Sequence, residues 1–107
     1  MFMLSTGVIE KFTRKRTLEL FRVGCDSTNF QILKLLPKKI SDLEEELKLS
    51  TMPVNRRVNA LVRLGLARRI LGTGNVLPTE LTKRFIDLVE GIVKEVEEVV
   101  PLFLELA

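Results

Sequence analysis

ISDLEEELKLSTMPVNRRVNALVRLGL, residues 40–66, reads as two short helices separated by a tight break. Ser41 is placed to cap the first helix, and Glu44 three residues later completes an S-x-x-E capping box. Leu43, Leu47 and Leu49 give it a narrow apolar stripe. Glu44, Glu45 and Glu46 sit in its first turns, where the helix dipole favours negative charge. The break falls at Ser50-Thr51, and either side chain can cap the second helix. Pro53 then lies in the first turn of that helix, where a missing N–H costs little. Val54, Val58 and Leu61 recur at i, i+4, i+7 as one buried stripe. Gly65 stands where a left-handed residue closes a helix.

The opposite face of the second helix has a different chemistry. Met52, Arg56, Asn59 and Arg63 point away from the apolar stripe, with Asn55 and Arg57 on the flanks. A short helix with an apolar back and an Arg/Asn front suits a DNA major groove. Arg can pair bidentately with guanine O6 and N7, Asn with adenine N6 and N7, and Met52 can meet a thymine methyl. This is the helix-turn-helix pattern with the second helix as reader. Met52, Asn55, Arg56 and Asn59 are the candidate base readers. Lys48, Ser50, Thr51, Arg57, Arg63, Arg68 and Arg69 are the candidate phosphate contacts. The other reading is an ordinary helical hairpin with a solvated basic face.

Working outward, Phe30, Leu33 and Leu36 form a stripe with Ile32 and Leu35 beside it. The spacing predicts a central core helix over about residues 29–36, capped by Asp26-Ser27-Thr28 and stopped by Pro37. Lys38 and Lys39 fall in the connection, as phosphate contacts or as a solvated turn. Residues 1–24 are less decisive. Met1 to Leu4 are apolar and pack or fray, and Val8, Ile9 and Phe12 predict a helical turn. Arg14-Lys15-Arg16 is either a phosphate-contacting arm or a solvated helix face, and TLELFRV (17–23) fits a helix better than a strand.

Downstream, LARRIL (66–71) reads as a strand, GTGN (72–75) as a turn tolerant of positive φ, and Val76-Leu77 as a return strand that Pro78 stops. A two-stranded hairpin directly after a reading helix is a wing. Its tip, Thr73 and Asn75, is within reach of the minor groove or the backbone. The other reading is a plain connecting hairpin. Thr79 then caps a long helix from Glu80 to about Val99 with two apolar stripes. Leu81, Phe85, Leu88 and Ile92 form one, fit for the protein's own core. Ile86, Val89, Val93, Val96, Val100 and Phe103 form a heptad-like second, which predicts a dimer interface with another copy unless the N-terminal segment covers it. Pro101 bends or ends the helix, leaving residues 102–107 as a final turn.

Composition narrows the function classes. A chain of 107 residues is one domain, 46% apolar and 29% charged, which is globular. Its expected parts are a helical N-terminal extension (1–24), a core (25–78) and a long helix for dimerisation (79–107). Their net charges are +3, +4 and −4, a basic body with an acidic tail. No Trp or Tyr is present, so stacking on single strands is poorly supplied. The lack of His, with one Cys, argues against zinc or iron sites and His-based catalysis; no cofactor is expected. Cys25 cannot form an intrachain disulfide; it reads as a small buried residue, or as a redox-sensing thiol. No stretch approaches a membrane span, and MFMLSTGVIE is not patterned as a signal peptide, so a cytoplasmic protein is expected.

The order of these motifs resembles the winged helix-turn-helix regulators of the ArsR/MarR type, archaeal and bacterial. DSTNFQILKLL (26–36) resembles their D-P-T-R-x-x-I-L-x-L-L opening helix. LSTMPVNRRVNALVRLGLARR (49–69) resembles L-S-x-x-T-V-S-R-H-L-x-x-L-x-x-x-G-L-V-x-R, and PTELTKRFIDLVE (78–90) resembles the segment after the wing. The resemblance covers roughly two thirds of the chain. It departs at Pro53, where Thr or Ser is usual, and at Thr82, where Gly is common. It also departs at SDLEEELKL, which lacks the Cys and His of metal-sensing members. The resemblance implies a mostly α fold with a small β-hairpin, a homodimer, and no thiolate metal sensing. MarR-like relatives often hold ligands between dimer helix and DNA-binding lobe, but no polar cluster here marks an effector pocket.

Three functions are open on this reading. One is a dimeric regulator of double-stranded DNA. A second is a winged helix used for protein–protein contact within a complex, since fold does not fix function. The third, an enzyme, lacks support: there is no G-x-x-x-x-G-K or G-x-G-x-x-G loop and no nucleophile–base pair.

Overall fold

Asp26 starts the core. Its carboxylate accepts the backbone N–H groups of Thr28 and Asn29, both at 3.1 Å, and so caps helix α2 (Ser27–Leu35). The computed structural model describes residues 6–106, so the apolar start Met1 to Leu4 lies outside the described residues. Before α2 runs one helix of 19 residues, α1 (Thr6–Gly24), which joins the Val8–Phe12 turn, the basic run and TLELFRV into a single rod. Cys25, expected to be buried, is exposed in the α1–α2 corner.

Helix α3 (Ile40–Leu47) begins before the expected capping box, so Ser41 lies inside the helix. The reason is a strand without a local sequence signature. Lys38–Lys39 form β1, which runs straight into α3, and the Ile40 N–H donates to the carbonyl of Gly74 at 2.9 Å. A wing carbonyl therefore takes one of the donors that a cap would otherwise satisfy. Lys38 is also held by Glu46 at 2.9 Å rather than left for phosphate.

The α3 helix ends at Lys48, a non-glycine residue at φ 54°, and Leu49 N–H reaches back to Glu44 O at 3.1 Å. Helix α4 (Thr51–Arg63) comes directly after Ser50, with Pro53 in its first turn as expected. Gly65, at φ 78°, closes it: Gly65 N–H bonds Val62 O and Leu66 N–H bonds Leu61 O, both at 3.0 Å.

That closure consumes the start of the strand expected at 66–71. Leu66 and Ala67 are buried in the helix exit, and only Arg68–Arg69 pair as β2. Asn75–Leu77 form β3, which lies between the other two in an antiparallel sheet of order β1-β3-β2. Val76 is opposite both Lys38 and Arg69 and points into the core. The expected two-stranded hairpin is thus a three-stranded sheet.

Helix α5 (Glu80–Leu106) has 27 residues, runs through Pro101 at the loss of one ladder donor, and continues past the end expected for it. Thr79 and Thr82 bond reciprocally at its start: Thr82 Oγ1 accepts Thr79 N–H at 2.8 Å, and Thr79 Oγ1 accepts Thr82 N–H at 3.3 Å. The same hydroxyls donate to the carbonyls of Gly65 and Leu66, each at 2.6 Å. Thr82, which departs from the glycine of the resembled pattern, is buried and fastens α5 to the exit of α4.

The core joins Ile32 and Leu33 of α2, Leu43 of α3, Val54, Val58 and Leu61 of α4, Leu66, Val76 and Phe85. Burying each such aliphatic side chain contributes about 1.5–3 kcal/mol. Phe85 packs on Phe21 and Phe30 at ring distances of 5.4 and 6.3 Å. Gly24 makes room for it, since a Cβ there would lie 2.6 Å from the Phe85 ring.

The two expected stripes of α5 are divided differently. Of the first, Phe85 alone is buried; Leu81, Leu88 and Ile92 are exposed. Ile86 and Val89, expected at a dimer interface, are half-buried and pack against the protein's own core. At about 100° per residue, the face they share with Phe85 continues as Ile92, Val93, Val96, Val100 and Phe103. Those residues have outrun the core and are exposed. The radius of gyration, 17.1 Å against about 13 Å for a compact chain of this size, reflects the projecting helices.

Candidate nucleic-acid interface

The α4 helix is pinned on one side by Val54, Val58 and Leu61, each wholly buried, so its other side has one orientation. Met52 (75% exposed), Arg56, Asn59 and Arg63 lie on that outer side. The side chains of Arg56, Arg63 and Arg68 make no hydrogen bond or ion pair among the described residues and extend into solvent. Lys48, Ser50 and Thr51 are exposed at the α3–α4 turn, at the entrance of α4. Ser50 holds the N-cap position with extended backbone and gives no side-chain cap, leaving the first N–H groups of α4 open to an anion.

Four of the predicted contacts are engaged within the protein: Arg57, and Arg69 with Asn55 and Asn59. Arg57 Nη1 donates to Asp26 Oδ1 at 2.8 Å and to Asn29 Oδ1 at 3.0 Å, because the flank it occupies faces the α2 cap. It joins α4 to α2 instead of reaching outward. The N–H of Asn29, and then Arg57, hold the Asp26 carboxyl below the ordinary aspartate range. Asn29 itself is buried, and its Nδ2 donates to Val23 O at 3.0 Å, which extends the link to α1.

Arg69 makes the second internal connection. From β2 it donates Nη1 to Asn59 Oδ1 and Nη2 to Asn55 Oδ1, both at 2.8 Å. Asn55 Nδ2 turns back to Thr51 O at 2.9 Å. The wing and the outer face of α4 are therefore one braced surface. From α1, Arg16 donates to Arg63 O at 2.5 Å, capping the carbonyl end of α4.

The wing tip differs from expectation. Asn75 is half-buried at the start of β3, opposite Lys39, and is not at the tip. Thr73 Oγ1 is committed to the turn, donating to Ile70 O at 2.9 Å and accepting Asn75 N–H at 3.1 Å. Leu71, 95% exposed, is what the tip presents between Ile70 and Gly72, a role that strand patterning does not reveal. A further signal of the surface is plain in the sequence: between Glu46 and Glu80 the chain has six cations and no carboxylate.

Among the described residues, no group of His, Cys, Asp or Glu is arranged to hold a metal ion, and no helix is long and apolar enough to cross a membrane. No family model and no curated relative matches the sequence. Solved structures do match in fold. HlyU from Vibrio cholerae N16961 is 21% identical with a TM-score of 0.62, over 75% of this chain and 94% of that one. Reduced HlyU from the same organism is 20% identical with a TM-score of 0.63, over 78% and 94%. The third is the solution structure of the homodimeric winged helix-turn-helix DNA-binding domain (fragment 1–100) of Mb0332 from Mycobacterium bovis, described as a possible ArsR-family transcriptional regulator. It is 19% identical with a TM-score of 0.71, over 89% and 92%. The chain has a winged helix-turn-helix fold. In that fold α4 is the second helix of the motif and β2–β3 is the wing.

Proposed function

We propose that this protein is a sequence-specific, double-stranded-DNA-binding transcriptional regulator, a repressor that acts as a homodimer. The observation that carries this reading is the acid-free run between Glu46 and Glu80, folded so that Arg56, Arg63 and Arg68 are exposed around one braced helix face. Arg56, Met52 and the Nδ2 of Asn59 meet bases; Lys48, Ser50, Thr51, Arg63 and Arg68 hold phosphates. Arg57 is left out of the contact set because Asp26 and Asn29 occupy it. Residues 25–78 form the DNA-facing unit. Residues 79–107 supply the pairing surface, through Val93, Val96, Val100 and Phe103 where α5 has outrun its own core. Helix α1 (Thr6–Gly24) flanks both. Mb0332, described as a homodimeric DNA-binding domain, supports DNA binding and pairing in general.

A dimer with two α4 helices would reach successive major grooves about 34 Å apart. The test is duplex binding at about 50 and 200 mM salt, with oligomeric state read in the same samples. A dimer that loses about 10³-fold or more in affinity supports the reading. Arg56→Ala is expected to cost about 1–3 kcal/mol on a selected site and to relax sequence choice. A protein with no duplex affinity at the lower salt overturns the proposal. That result would favour the second reading, a winged helix used for protein contact, which has the apolar Leu71 tip in its favour.

A further inference from the structure

We infer that Arg69 biases the reading helix towards guanine. The inference rests on the DNA-binding reading above and deepens it by naming the base class. The free Asn side chain has both an acceptor and a donor, which is what an adenine edge requires: N6–H₂ donates and N7 accepts. In this structure both predicted Asn readers have part of that pair engaged. Arg69 takes one lone pair of Asn55 Oδ1 and one of Asn59 Oδ1, both at 2.8 Å, which sets a guanidinium cation beside both acceptors, and Asn55 Nδ2 gives one of its N–H groups to Thr51 O at 2.9 Å.

What α4 and β2 then present to the bases is dominated by donors: Asn59 Nδ2, the guanidinium of Arg56 and the remaining N–H groups of Arg69. Guanine presents two acceptors in the major groove, O6 and N7. Adenine and cytosine each present a donor, which the Arg69 cation beside the Asn carbonyls disfavours, and thymine presents one acceptor, O4, where guanine presents two. Arg69 is thus a positioning residue. It acts through Asn55 and Asn59, and its effect is on which base is chosen more than on how tightly DNA in general is held.

The experiment uses the full chain and a randomised duplex pool, then the selected duplex with 7-deazaguanine or 7-deazaadenine at single positions. Guanine is expected at the positions facing Arg56 and Asn59, and loss of its N7 there should weaken binding roughly 5- to 150-fold. The Arg69→Met variant, checked for an unchanged circular-dichroism melt, should shift selection at the Asn59 position from guanine towards adenine. The deaza duplexes test the wild-type protein, so the inference stays testable if Arg69→Met fails to fold. Binding without base preference, or a selected site weakened by 7-deazaadenine and indifferent to 7-deazaguanine, overturns the inference and leaves the regulator reading standing. Absence of any duplex binding removes both.

Discussion

Val54, Val58 and Leu61 on α4 and Val93, Val96 and Val100 on α5 are two apolar stripes of nearly the same helical spacing, with opposite fates. The first is wholly buried; the second is 41–49% exposed. Spacing shows that a face needs cover. What covers it depends on where the rest of the chain runs out. For α4, α2, α3 and the sheet close over the stripe. For α5, the core stops near Val89 and the helix continues to Leu106. One continuous face can therefore change role along its length, from its own core to exposed surface, which the proposed function assigns to a second copy.

The sharpest way to break this comparison is to place the same charge in both stripes. Val58→Asp buries an unpaired carboxylate in the core and is expected to destabilise the fold by at least about 3 kcal/mol. Val96→Asp should leave the melt of the dilute, monomeric chain unchanged and weaken self-association by about 100-fold or more, because symmetry repeats the defect. Thermal unfolding and sedimentation equilibrium separate the two effects. If Val96→Asp lowers the melt of the monomer as far as Val58→Asp does, the distal stripe is core and the proposed interface is wrong.

Thr82 lies at the junction of the two regions, and its effect should be intermediate. Thr82→Val keeps the shape but removes the hydroxyl that donates to Leu66 O and accepts from Thr79 N–H. The buried Leu66 carbonyl then loses its side-chain donor, at an expected cost of about 1–3 kcal/mol. Chemical denaturation measures it. Under the proposed function the variant should also weaken DNA binding less than Arg56→Ala does, since it loosens the join between α5 and α4 without touching the outer face. A Thr82→Val protein as stable as wild type would show that the threonine pair does not fasten the helix.

How far the fold and the interface are legible in the sequence depends on the range of each interaction. The α2 cap, the Pro53 entry, the Gly65 closure and the α4 stripe depend on residues within one or two turns, and each is where the sequence places it. The capping box at Ser41 fails because β1 and the wing carbonyl of Gly74 supply the helix start from 34 residues away. Two lysines carry no strand signature, so β1 could be found only by its pairing with β3. On the candidate interface, the exposed Arg56 and Met52 come from helical geometry alone. The capture of Arg57 by Asp26 and of both Asn carbonyls by Arg69 depends on tertiary contacts across 31, 14 and 10 positions, which no local pattern encodes. The apolar Leu71 is visible in sequence, but its exposure follows from its place in the turn between β2 and β3.

The smallest expected effect concerns Asp26, within the folded unit and remote from the distal stripe. Its carboxylate caps α2 and meets Arg57 at a surface where both side chains are about 40% exposed, so the ion pair itself contributes only about 0.2–1 kcal/mol. Asp26→Ala removes cap and charge together and should cost about 1 kcal/mol at pH 7. Asp26→Asn keeps a capping oxygen and should cost a few tenths. The acid dependence has a definite sign. The folded carboxyl is held below its ordinary value by the Asn29 N–H and then by Arg57. Its charge-dependent stabilisation is therefore complete above the unfolded value near 3.9 and is lost as pH falls through the folded one. The gap between wild type and Asp26→Asn should close on acidification below about pH 4, while self-association of the two proteins at neutral pH stays equal. A gap that persists at pH 2 would mean that the carboxylate charge is not what Arg57 contributes here, and that the link between α2 and α4 rests on Asn29.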